Sequence, residues 1–233
     1  MNGDDPSRDA PDEGVSAFDA AHARAYAEGP PRQVPGFAGL HRMTSLLLAE
    51  RVPANGRVLV LGAGGGLEIK ALADDHAGWT FDGVDPSAEM LRTAAQIVGP
   101  HAARVRLHKG YIDAAPEGPF DGAVCLLTLH FVSRDQRLET LRQIRQRLVP
   151  DAPFAVAHIS FAQTEPERSL WIGRHVAFGG TAPTNVEAAK QAIATRLSVL
   201  SPEEDEAMLR DAGFSGVSLF YAGLSFRGWV AYA

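Results

Sequence analysis

The stretch VLVLGAGGGLE, from Val58 to Glu68, constrains this chain more than any other. Four apolar residues run into Gly62, Gly64, Gly65 and Gly66 before a helical pattern begins. That order reads as a strand turning through a tight loop into a helix, whose free backbone N–H groups suit a polar or anionic ligand. The spacing is not a dinucleotide fingerprint, because G-x-G-x-x-G requires glycine where Leu67 stands. Nor is it a Walker loop, since Lys70 is followed by Ala71. A sharp βα turn would use the same glycines, so the loop alone names no ligand.

The residues around the loop place it in a fold. From Arg57 onward, short apolar strands alternate with amphipathic helices. RVLVL, TFDGV, RVRLH (104–108), DGAVCLL (121–127) and FAVAHI read as strands, with helices expected near 67–76, 87–98 and 134–148. Five such strands call for a parallel sheet wrapped on both faces. Helical patterns at 165–178, 185–197 and 202–211 then precede VSLFYA and SFRGWVAYA, two strands joined at Gly223-Leu224. That spacing favours a hairpin. The expected fold is α/β, a Rossmann-like three-layer sandwich with a seven-stranded, mostly parallel sheet and a C-terminal antiparallel hairpin.

Upstream, the acidic segment 1–14 reads as a disordered tail. A helix over Val15–Ala27 is expected to stop at Gly29-Pro30-Pro31, and a second to run from about Gly36 to Arg51. Residues 15–52 are thus expected to form a helical lid on one domain, 53–233, with a helical insertion near 161–200. At 233 residues, one domain with a full core is the expected size. A net charge of −6 disfavours a nucleic-acid partner, and no run approaches the ~18–20 apolar residues of a membrane helix. With Cys125 the only cysteine, no intrachain disulfide can form, and a cytoplasmic setting is expected.

The second chemical signal is Asp85 in GVDPS, 19 residues after Gly66. A carboxylate at the end of the second strand can accept both hydroxyls of a ribose. It can equally serve the start of the next helix. Loop and acid together point to a nucleoside-containing cofactor.

The series VLVLGAGGGLE, GVDPSAEML, HKGYIDAAP, PFDGAVCLLTLHFV and LRQIRQRLVPDAPFAVAH resembles the class I S-adenosylmethionine-dependent methyltransferases over roughly residues 36–160. The resemblance implies S-adenosylmethionine as cofactor. It places the methionine part on the glycine loop (Gly62, Ala63, Gly64), the ribose on Asp85, and the adenine between Pro86 and Met90. Tyr111 and Ile112 would close over the base, and Leu126 would lie beside the sulfonium. Two positions depart from the family pattern. Val60 stands where an acid is usual, and Tyr111 where an aspartate is usual. Glu68 is either a substitute acid for the methionine ammonium or a solvent-facing helix residue.

RQVPGFAGLHRM (32–43) resembles one branch in particular, the carboxy-S-adenosylmethionine synthases. That chemistry needs a Tyr, an Asn and an Arg around an extra carboxylate, and the matching residues here are Phe37, Leu126 and, more loosely, Lys190. Without charge-assisted partners a desolvated carboxylate is costly, so plain S-adenosylmethionine suits these residues better.

For chemistry, His130 in LTLHFV is the first candidate, as a base for an acceptor that must lose a proton. His158 is the second, with Tyr26, His22 and His41 on the lid behind it. Trp171, His175 and Phe178 share a helix face that would line an acceptor pocket or simply pack as core. No cluster has metal-ligand spacing, and no metal is expected. The leading reading is methyl transfer to a small-molecule O- or N-nucleophile, with a homodimer allowed for. A carboxy-S-adenosylmethionine synthase-like transferase and a catalytically inactive cofactor-binding protein are the alternatives.

Overall fold

The computed structural model describes residues 29–233, so the expected tail, the helix over 15–27, His22 and Tyr26 lie outside the described residues. RVLVL forms β1 (Arg57–Leu61), which pairs in parallel with β2 (Thr80–Asp85) on one side and β4 (Gly122–Leu126) on the other. A strand flanked on both edges and covered on both faces must be apolar throughout. Val58 and Val60 accordingly enter one core cluster, and Leu59 and Leu61 the other.

The same alternation splits β4 and β5 (Pro153–Ile159) between the two faces: Val124 and Ala155 on one, Cys125 and Phe154 on the other. The first face carries α2 (Phe37–Ala49) and α3 (Leu67–Asp75), through Leu40, Leu48, Ile69 and Leu72. The second carries α5 (Arg134–Gln146) and α8 (Pro202–Asp211), through Leu141, Ile144, Met208 and Leu209. Three layers result. Helix α4 (Ala88–Ile97) links β2 to β3 (Val105–Lys109), while α6 (Glu167–Phe178) and α7 (Val186–Arg196) stand between β5 and α8.

Among the described residues the sheet has seven strands in the order β3-β2-β1-β4-β5-β7-β6, with β6 (Ser215–Gly223) and β7 (Phe226–Tyr232) forming the hairpin. β7 pairs antiparallel with β5 over its whole length, from Pro153↔Tyr232 to Ile159↔Phe226. The expected architecture is therefore found. Buried Asp82 ties its far edge together, taking Arg57 Nε of β1 at 2.8 Å and meeting His108 Nε2 of β3 at 2.7 Å.

One local expectation is corrected and one short helix is added. Gly29-Pro30-Pro31, expected to stop a helix that lies outside the described residues, opens a short helix, α1 (Gly29–Gln33). Prolines in a first turn sacrifice no hydrogen bond, and Val34 N–H closes the turn on Pro30 O at 2.9 Å. The hairpin turn is Leu224-Ser225, one residue later than expected, because Gly223 still pairs with Phe226. Leu224 takes the left-handed conformation there (φ 54°). Its neighbour Ser225 is anchored on both sides, by Ser160 N–H on its carbonyl and by His175 Nδ1, 2.7 Å from its hydroxyl.

Candidate active site

The sheet order reverses at β1: the chain goes one way to β2 and β3, then returns to β4 on the other side. In open α/β sheets, ligands bind in the crevice beyond the strand ends at such a point. The glycine loop, Asp85, Leu126 and His130 all lie at or just past the C-terminal ends of β1, β2 and β4.

The loop is shaped by its glycines. Gly62 and Gly66 hold left-handed backbone (φ 74° and 81°), and Gly62 and Ala63 both donate their N–H to Val84 O. Gly62 also has no room for a side chain, since a Cβ there would sit 1.9 Å from Thr128 Oγ1. The loop thus lies directly on the turn after β4. No side chain caps α3, whose N-cap is Gly66, so its amino end stays available.

Asp85 is buried at the end of β2 and joins two segments. One carboxylate oxygen accepts from Gly64 N–H and the other from Ser87 N–H, both at 2.9 Å. Burial raises its pKa, opposed by these two donors. A carboxylate has about four acceptor positions, which leaves two for a ligand. Ser87, and not Asp85, caps α4, taking Met90 N–H at 3.2 Å. Met90 and Ile112 are buried beside this corner, Pro86 is half-buried, and Tyr111 stands 51% exposed.

Glu68 resolves one alternative. It sits in the first turn of α3 at 4% exposure, so it is not a solvent-facing residue. Burial is the main cause that pushes its carboxyl pKa up to about 8, with Asp85 adding to it and its own backbone N–H opposing.

Beyond β4, Leu126 is buried and Leu127 adopts left-handed backbone (φ 58°), its N–H donating to Ala157 O at 2.6 Å. Strain of this kind in a non-glycine residue gathers at functional sites. His130 is buried below this turn, and its Nδ1 takes Ile159 N–H at 3.4 Å. Burial first, then His158, Arg137 and His175, hold its pKa well below the usual imidazole value. A neutral ring accepting at Nδ1 keeps its proton on Nε2, so this arrangement does not suit a base.

The other candidates disperse. His158 is 3.1 Å from Asp205, which also pairs with Arg137 of α5 at 2.9 Å; all three are buried on the second face of the sheet. Trp171 lies within 4.7 Å of the Arg174 guanidinium, His175 packs on Phe226, and Phe178 remains exposed. Phe37 packs on His41, whose pKa burial lowers to about 4. Lys190 pairs with Glu187 of its own helix. No group of three metal-ligating side chains occurs among the described residues. Thr128, Leu127 and the buried Arg137–Asp205 pair carry no local sequence signal. Ser87, two residues after Asp85 and just ahead of a helical pattern, was readable as a cap.

The fold recurs in known proteins. A methyltransferase-domain family matches residues 59–154. The carboxy-S-adenosyl-L-methionine synthase of Pseudomonas aeruginosa is 27% identical over 226 residues, covering 92% of each chain. An O-methyltransferase family protein from Burkholderia thailandensis superposes with a TM-score of 0.68 at 14% identity, over 93% of this chain and 60% of that one. Human N-acetylserotonin methyltransferase, solved with S-adenosylmethionine, gives 0.58 at 16%, over 91% and 54%. This chain thus spans about three fifths and about half of those two structures. No helix among the described residues is long and apolar enough to cross a membrane. By its sheet order and the family match over residues 59–154, this chain carries a methyltransferase domain in the fold that those structures share.

Proposed function

We propose that the chain methylates a small-molecule O- or N-nucleophile, holding the cofactor along the β1/β4 crevice. The observation that carries this reading is the Asp85 carboxylate, which fastens the glycine loop and keeps acceptor positions free at the strand ends. The residues fit the group: an uncapped helix start, a buried acid without a cation, and a ribose-competent carboxylate converge on one crevice. Gly62, Ala63 and Gly64 support the methionine end, Asp85 takes the ribose hydroxyls, and Pro86 and Met90 flank the adenine. Tyr111 and Ile112 cover the base. Leu126 presents an apolar wall to the reacting centre.

The bound cofactor supplies an electrophilic methyl group on a sulfonium. Displacement there is in line, so placing the acceptor opposite the sulfur contributes much of the acceleration. Leu126 and Leu127 exclude water from that axis. His130 acts here as a positioning residue, pinning the turn after β4 to the end of β5.

A second reading, carboxy-S-adenosylmethionine synthesis, is favoured by relatives of that name covering 92% of the chain. The side chains speak against it. Leu126 is buried and apolar, Phe37 packs on His41, and Lys190 is engaged with Glu187, so none offers a carboxylate a fixed charged partner. Calorimetric titration with S-adenosylmethionine, S-adenosylhomocysteine and carboxy-S-adenosylmethionine decides between them. Micromolar binding of the first two, lost in Asp85→Ala, supports methyl transfer. Preference for the carboxylated cofactor selects the second reading, and binding of none removes both.

A further inference from the structure

Val60, where the family's acid usually stands, is wholly buried in the apolar cluster under α2 and α3, so β1 offers no charge to an ammonium group. A buried carboxyl group nevertheless stands beside the same crevice, in the first turn of the helix that leaves the loop. Glu68 lies two residues past the last glycine of the loop, and its carboxylate turns back toward its own backbone N–H at the start of α3. It interacts electrostatically with Asp85 at the end of β2 and with Cys125 near the end of β4. Those strands flank β1 on either side, and the sheet order reverses there, so Glu68 belongs to the buried first turn of the helix that starts at this point.

No cation among the described residues meets it there. The ion pairs they form include none to Glu68, and the nearest basic residue in sequence, Lys70, is committed to Asp74 at 2.6 Å. A buried carboxylate without a cation or several donors is strongly disfavoured, so the group stays protonated until a cation arrives. Of the titratable groups facing it, Asp85 from β2 adds negative charge and favours the same state, while the buried Cys125 thiol from β4, its pKa raised by burial, stays neutral.

We propose that Glu68 is the acid that receives the α-ammonium of the cofactor, and that it releases one proton to solvent as the cofactor binds. This rests on S-adenosylmethionine occupying the β1/β4 crevice, and it gives that cofactor a residue that the family pattern does not predict. The carboxylic O–H bond breaks, its proton passes to the buffer, and the carboxylate formed pairs with the ammonium. Cofactor binding is then proton-linked, whereas binding of a nucleoside without the amino-acid part is not.

The test is calorimetry of the full chain at pH 6.5 in buffers of different ionisation enthalpy, with two probes. S-Adenosylhomocysteine carries the ammonium; 5′-methylthioadenosine has the same nucleoside and thioether without it. The expected result is about one proton released with the first probe and about none with the second. In Glu68→Gln, proton release should vanish and affinity for S-adenosylhomocysteine fall about tenfold or more, with methylthioadenosine binding within about twofold of the parent. The two-probe comparison in the parent needs no variant, so a poorly folded Glu68→Gln does not spoil it. Binding of both probes with equal proton release overturns the Glu68 assignment and leaves the cofactor reading standing. Binding of neither overturns both.

Discussion

The Asp85 carboxylate and the Gly64 N–H meet at 2.9 Å, so one side chain on β2 sets the path of the loop leaving β1. Asp85→Ala leaves two buried donors, Gly64 N–H and Ser87 N–H, without an acceptor. Its expected cost is about 2–4 kcal/mol, read from the midpoint of urea unfolding. Asp85→Asn retains one carbonyl acceptor and should lose about half as much. Both variants should fail to bind the cofactor, although only the first is severely destabilised.

Arg137 and Asp205 join α5 to α8 inside the core, 68 residues apart in sequence. Burial opposes the charge on Asp205, but His158 and Arg137 outweigh it and its pKa is lowered. The stability this contributes is present above the unfolded carboxylate value near 3.8 and is lost as pH falls through the lower folded value. Asp205→Ala, which strands the guanidinium, should cost about 3–5 kcal/mol at pH 7. The double variant Arg137→Met/Asp205→Leu should be markedly less damaged, and chemical denaturation distinguishes the two.

Glu68 acts with the opposite sign. Its folded pKa is raised to about 8 from 4.5, so its contribution is full below 4.5 and disappears as pH rises through 8. Between those limits the cofactor-free protein should lose up to about 1.4 kcal/mol per pH unit relative to Glu68→Gln. Buried His130 and half-buried His41 and His175 have lowered values and act the other way below 6.5, but equally in both proteins. The difference in melting temperature between the two proteins, followed from pH 5 to 8.5, isolates Glu68.

A methyl group at Gly62 has nowhere to go. Gly62→Ala puts Cβ against Thr128 Oγ1 and keeps a left-handed backbone that alanine resists. We expect a loss of about 2–4 kcal/mol and a weakened cofactor site. Adding Thr128→Gly should relieve the clash but not the backbone strain, recovering part of the stability measured by urea unfolding.

Tyr221 of β6 donates its hydroxyl to Pro35 O at 2.6 Å, holding the segment that leads into α2 against the hairpin. Tyr221→Phe removes only that bond and should cost about 1 kcal/mol globally. Its local effect should be larger: limited proteolysis near 32–36 is expected to accelerate while the rest of the chain keeps its protection.

The strands were readable because burial on both faces forces unbroken apolar runs such as Val58–Leu61 and Gly122–Leu126, and the helices because one apolar stripe repeats. Asp85 was legible by its place after a strand. Glu68 was legible only as one of two alternatives, since sequence alone shows a charged residue in a first turn, a place that is usually wet. Its burial depends on how the left-handed Gly66 aims α3. The Gly62–Thr128 contact and the Arg137–Asp205 pair were hidden for the same reason: each joins segments that only the closed sheet brings together. The prolines at 30–31 left α1 unseen, because a helix stop and a helix start share the same residues.

The position of β7 has a consequence for biosynthesis. β5, with every residue buried, finds its second partner only in a strand that begins 67 residues after it ends. On the ribosome the five parallel strands can assemble first, leaving the row of backbone donors and acceptors along PFAVAHI without a mate. At about 5–20 residues per second, that adhesive edge stays open for several seconds. The helices between β5 and β6 are then more than a route to the hairpin; during synthesis they are the material at hand to screen it.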